Sequence, residues 1–90
     1  INVSATSNKT LQEIIYEITR VLQTNNIPHY YDGNSTFECE CLDNKSSLRF
    51  QIEICHIPRL ASYGLHFKRL YGGVWNYKKI CTKLLSQMSI

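Results

Sequence analysis

GLHFKRLYGGVWNYKKICTKLLSQM, residues 64–88, decides the reading of the whole chain. Leu65 to Tyr71 is rich in strand-favouring residues, Gly72 and Gly73 interrupt it, and from Val74 onward the apolar spacing turns helical. The stretch therefore predicts a strand, a glycine turn and a helix. The helix, about Val74 to Met88, sets Tyr77, Ile80, Cys81, Leu84, Leu85 and Met88 on one stripe, with Lys78, Lys79 and Lys83 projecting away from it. Trp75 falls on the lysine side. It either packs into the start of the helix and the glycine turn or is presented, as an amphipathic aromatic beside cations, to a membrane interface. Lys68, Arg69, Lys78, Lys79 and Lys83 all lie in this stretch, which contains no Asp or Glu. Such a concentrated positive field calls for an anionic partner.

Working back towards the amino terminus, the apolar period is two. His29 to Tyr31, Thr36 to Leu42, Leu48 to Ile57 and Leu65 to Tyr71 are strand candidates, separated by Asp32-Gly33-Asn34, by Asp43-Asn44-Lys45-Ser46 and by Ala61-Ser62-Tyr63. The longest puts Leu48, Phe50, Ile52, Ile54 and His56 on one face and Arg49, Gln51, Glu53 and Cys55 on the other. At that position His56 reads as a structural histidine. Before these strands, Leu11, Ile14, Ile15, Ile18, Val21 and Leu22 form a helical stripe, with Glu13, Glu17 and Arg20 away from it. Thr10 and Glu13 make a capping box, Asn25 and Asn26 end the helix, and Pro28 prevents its resumption. Asn2 to Thr6 alternates weakly, with Ile1, Val3 and Ala5 on one side, as a short strand would. A sheet with one wet face needs a cover for the other, and two amphipathic helices supply it. The expected fold class is α+β, an antiparallel sheet of four to five strands with both helices on one face.

Ninety residues bound the chain to one domain, 1–90, with 43% hydrophobic and 19% charged residues suiting a folded globular unit. No apolar run approaches the ~20 residues of a membrane span. The chain opens at Ile1 rather than Met, as a piece of a longer intracellular protein would. The net charge of +3 hides an asymmetry: residues 1–45 hold three bases against six acids, and residues 46–90 hold seven bases against Glu53 alone. That distribution points to a basic face for an anionic membrane or nucleic acid. The aromatic-glycine pattern of an RNA-reading sheet and any helix-turn-helix pattern are missing, so nucleic acid is not expected.

Cys39, Cys41, Cys55 and Cys81 lack zinc spacing, and Cys39 and Cys41, two apart on one strand face, are poorly placed to bond each other. All four read as reduced, buried, small apolar side chains. Neither a metal nor another cofactor is expected. The Gly-rich phosphate loop, the nucleophile elbow and a zinc-binding His-Glu pair are absent too, and Glu38 and Glu40 read as the wet side of a hairpin, so the chain is expected to be non-catalytic.

The runs IEICHIPRL, residues 52–60, and GLHFKRLYGGVWNYKKI, residues 64–80, resemble the kinase-associated domain one family. This domain lies at the carboxy terminus of serine/threonine kinases of the microtubule-affinity-regulating and partitioning-defective type and of their yeast relatives. The resemblance covers nearly the whole chain. It implies a helix pair on one face of an antiparallel sheet and a non-catalytic module that binds anionic phospholipids, notably phosphatidylserine. It also implies a cytoplasmic place, peripheral at the inner face of the plasma membrane. Lys68 and Arg69 match the family's Lys-Arg pair before the glycine turn, and Pro58 and Arg59 match its proline-arginine. Lys78, Lys79 and Lys83 join the lipid-binding set on the charge argument alone. His66 stands where some relatives carry arginine, which implies lipid binding that strengthens from about pH 7.5 to about 5.5. The alternative reading is an intramolecular autoinhibitory module, in which the same basic surface or the Trp75 end docks on the kinase domain of its own chain, in competition with lipid.

Overall fold

Leu48, Phe50, Ile52 and Ile54 alternate with Arg49, Gln51 and Glu53, which makes one strand apolar on one side and wet on the other, the pattern of a sheet centre covered once. In the computed structural model, which describes residues 2–43 and 46–90, this strand is the longest of the sheet and its middle. The elements run β1 (Asn2–Ser7), α1 (Leu11–Thr24), β2 (His29–Tyr31), β3 (Thr36–Asp43), β4 (Ser46–Ile57), β5 (Ser62–Tyr71) and α2 (Val74–Gln87). The sheet has five strands in the order β1-β5-β4-β3-β2, and every neighbouring pair is antiparallel. The molecule is therefore a meander from β2 to β5 with β1 added beside the last strand. Its extents are 42 × 24 × 23 Å.

The two helices cover one face, as their stripes require. Ile14, Ile18, Val21 and Leu22 of α1 and Tyr77, Cys81 and Leu84 of α2 are buried with Phe37, Cys39, Leu48, Phe50, Ile52, Ile54, Leu65 and Phe67 of the sheet. Phe50 is the pivot: its ring meets Phe67 at 6.4 Å, stacked, and Tyr77 at 6.4 Å, edge-on, tying α2 to the two central strands. The capping box forms as read, with the Glu13 amide donating to Thr10 Oγ1 and the Thr10 amide to Glu13 Oε1. At the other end of α1, Asn26 sits at φ 55° while Ile27 N–H donates to Leu22 O and Asn26 N–H to Gln23 O, the paired bonds of a Schellman stop.

Three readings are corrected. Ala61-Ser62-Tyr63 is not the turn between β4 and β5: a single 3-10 turn at Pro58–Leu60 and Ala61, at φ 49°, reverse the chain, and β5 already begins at Ser62, which pairs with Ile57. His56 keeps the apolar parity but lies past the end of the helix cover, so it is exposed, its ring 5.2 Å from that of Tyr63. Cys39 and Cys81 are buried, but Cys41 is half-buried and Cys55 exposed on the outer face, its thiol donating to Glu53 Oε1 at 3.3 Å. Glu17, which the helical spacing sets away from the apolar stripe, is nevertheless only 8% exposed, for a reason residues 87–89 supply. Ile1 and the Asn44-Lys45 part of the β3–β4 turn lie outside the described residues.

That reason is a clasp between the helices. Glu17 accepts from Arg20 through both oxygens, at 2.7 and 3.0 Å, and from the Ser89 N–H at 2.6 Å. Arg20 also donates to Gln87 O, and Asn25 Nδ2 to Gln87 Oε1. Hydrogen bonding from Arg20, then from Ser89, holds the Glu17 carboxyl down at about 2.

Candidate functional site

The turn that launches α2 is fixed by close packing. Gly72 has φ 108°, and a Cβ there would lie 2.7 Å from Ser47 O and 2.9 Å from Leu48 Cδ1. Only glycine lets β5 end against β4 in this way. Arg69 Nη1 donates to Gly72 O at 2.8 Å, so one base is pinned across the same turn. Gly73 is the N-cap of α2 and provides no side-chain acceptor, and no acid lies in the first turn. The positive end of the helix dipole is thus offset by no side chain of the first turn.

From that turn α2 presents a cationic, aromatic outer surface. Trp75 is 79% exposed, and Lys78 Nζ lies 5.7 Å from its ring centroid. The packed alternative for Trp75 is thereby corrected. Cation and ring hold each other at the surface, an arrangement worth only ~0.5–1 kcal/mol in water. Following the helix round at ~100° per residue, Lys79 and Lys83 come next, then Asn76 and Ile80.

On the Ile80 side α2 stands off from the β3–β4 hairpin and leaves a half-open groove of about 460 Å³. Cys41, Leu48 and Ile80 give it apolar walls, and Lys79 and Lys83 flank it; no acid is among the described residues that line it. Leu42, near the hairpin tip, is 78% exposed, and Tyr71, at the end of β5, is 59% exposed. By their pairing, Leu42 with Ser47 and Tyr71 with Arg49, both project from the uncovered face of the sheet rather than from the α2 side.

The bases that the sequence suggested do not form one patch. Arg69, Lys78, Lys79 and Lys83 belong to the α2 end. Arg59 sits in the 3-10 turn before β5, at the opposite end of a ten-residue strand, roughly 30 Å away. Lys68 pairs with Gln51 on β4 and alternates with the buried Phe67, so it points to the uncovered sheet face. His66 shares that face, opposite Glu53, away from the α2 lysines. Strand alternation thus splits the Lys68-Arg69 pair between two surfaces. The groove, built by Cys41, Ser46 and Leu48 against residues some thirty positions later, had no local signal in the sequence.

The buried thiols are chemically quiet. Burial pushes both Cys39 and Cys81 up to about 12. Among the described residues no group of three or more His, Cys, Asp or Glu side chains is placed to hold a metal. Nor is any helix among them long and apolar enough to cross a membrane.

A five-stranded antiparallel sheet with two helices on one face, and a basic, aromatic surface at one end, defines a small α+β domain. Comparison with known sequences gives the family: the profile of Kinase associated domain 1 matches residues 46–90, from the start of β4 to the end of the chain. The chain belongs to the Kinase associated domain 1 family, a non-catalytic domain. It is 42% identical over 88 residues to "Probable serine/threonine-protein kinase MARK-A" of Dictyostelium discoideum, covering 98% of this chain and 8% of that protein. It is 37% identical over 87 residues to "Probable serine/threonine-protein kinase MARK-C" of the same organism, covering 97% of this chain and 11% of that one. Against "Maternal embryonic leucine zipper kinase" of Xenopus laevis the identity is 26% over 91 residues, 99% of this chain and 14% of the kinase. The chain thus spans about a tenth of the length of these kinases.

Proposed function

We propose that this domain carries a serine/threonine kinase to anionic phospholipid surfaces, phosphatidylserine among them, through the α2 end of the fold. The observation that supports this most is the exposed Trp75 with Lys78 over its ring, beside Lys79 and Lys83 on a helix that carries no acid. An aromatic side chain with a polar edge settles at headgroup depth, and ammonium groups beside it meet the phosphates and carboxylates. Arg69 and the open amino terminus of α2 add positive potential.

Each base close to an anionic leaflet contributes about 1 kcal/mol, so the four at this end give roughly 4 kcal/mol, a dissociation constant on the order of millimolar. A single domain binds weakly. Firm recruitment needs a second contact elsewhere in the kinase, since linkage multiplies affinities. Because the attraction is between exposed charges, it weakens as salt rises.

Trp75 is the sole tryptophan of the chain, so its emission reports the contact directly. Vesicles containing phosphatidylserine are expected to shift that emission to the blue at low salt, with neutral vesicles leaving it unchanged. No shift with either vesicle would move the function to docking on an acidic protein surface, the kinase domain of the same chain being the first to test.

A further inference from the structure

Beyond attraction to a charged surface, the groove between α2 and the β3–β4 hairpin has the form of a pocket for one chain of an amphiphile. Its volume of about 460 Å³ falls within the ~300–1,000 Å³ of small-molecule sites. The floor and walls are the apolar Leu48, Ile80 and Cys41; Ser46, Asn76 and Thr82 line it as neutral polar residues, and its only charged lining residues among those described are Lys79 and Lys83, four residues apart on one helix face. Charge and shape select the same ligand. An apolar tail fits the walls and an anionic head meets the two ammoniums, whereas a neutral ligand would leave the lysines unused and a cation would be repelled.

We propose that the groove binds a single-chain anionic amphiphile, with its alkyl tail along Leu48 and Ile80 and its carboxylate or phosphate between Lys79 and Lys83. The proposal deepens the membrane reading and rests on it for the class of ligand. It adds that the domain takes up one acyl chain individually rather than only resting on a field of headgroups. Two features separate such a pocket from a surface patch. Affinity must climb with tail length, and filling the groove must abolish binding without removing any charge.

Isothermal titration with octanoate, decanoate and dodecanoate, each kept monomeric below micelle formation, tests both. Each methylene that enters an apolar wall is expected to strengthen binding by roughly two- to fourfold. Acetate, which has the head alone, should show no measurable binding. Thr82→Trp, made at an exposed position on the groove, should remove alkanoate binding, and Ile80→Trp should do the same from the wall. Lys79→Gln with Lys83→Gln should weaken all three ligands by roughly fivefold to tenfold while keeping the dependence on tail length. Affinity independent of tail length, or undiminished binding in both tryptophan variants, overturns the inference. Vesicle binding by the same variants separates the two levels: if the unaltered domain binds phosphatidylserine vesicles but no alkanoate, the pocket is wrong and the membrane reading stands. If it binds alkanoates in the groove but no vesicle, the pocket stands and the membrane reading fails.

Discussion

At the scale of single residues, Glu17 shows how a surface acid becomes structural. Helical spacing put it beside, not on, the apolar stripe of α1, and the sequence held no hint that Ser89, 72 residues later, would donate to it. Local pattern reports which face of a helix a residue occupies; it does not report what the far end of the chain lays across that face. With its carboxyl held at about 2 against an ordinary 4.5, Glu17 contributes stability that is whole above about pH 4.5 and is lost as pH falls towards 2. Thermal melts should therefore fall off over that interval, and more steeply for the unaltered chain than for Glu17→Gln. At neutral pH the substitution should lower Tm by about 5 °C or more. The thiols give a second check. Cys55 should react with an alkylating reagent in the native protein, and Cys39 and Cys81 only after unfolding, because both are buried and held protonated. Labelling of all three at one rate would contradict the burial described here.

At the scale of elements, most of the architecture was readable because each segment carries a start, a period and a stop. The Thr10–Glu13 box and the Asn25-Asn26 pair bracket α1, and alternation in β4 names the buried face residue by residue as far as Ile54. The reading failed where a turn has no residue of its own to announce it. Ala61 adopts a left-handed conformation that glycine or asparagine would advertise, so sequence pattern sets the reversal at Ala61-Ser62-Tyr63, whereas it occupies Pro58 to Ala61. Gly72 is the opposite case, since its need for glycine is both conformational and steric. Gly72→Ala should cost about 2 kcal/mol or more, seen as a lower urea midpoint. Gly73→Ala, where nothing stands closer than 4.0 Å and φ is negative, should cost much less. Equal costs would mean that the β5–α2 turn is not held against β4 as described.

At the scale of the molecule, the candidate site was legible in kind and not in extent. The stretch 64–88 announces positive charge, which the α2 end has, but leaves Trp75 open between packing into the glycine turn and exposure, and only the fold sets it outside. Nearness in sequence nevertheless counted Lys68 with Arg69, which the pleat sends to different faces, and a shared motif brought in Arg59 from the far end. The groove joins segments that meet only in the folded chain. If anionic membranes are met at the α2 end, as proposed, the separation of Lys79 and Lys83 from Arg59 and Lys68 makes the contact testable. Sedimentation with phosphatidylserine vesicles should be measured at low salt for the unaltered domain, for Lys79→Glu with Lys83→Glu, and for Arg59→Glu with Lys68→Glu. The three proteins then differ in where the charge is reversed, and the two variants do not differ in how much. Reversal at Lys79 and Lys83 should abolish binding and reversal at Arg59 and Lys68 should leave most of it; equal loss in both variants, or loss only in the second, would mean that the membrane is not met at the α2 end.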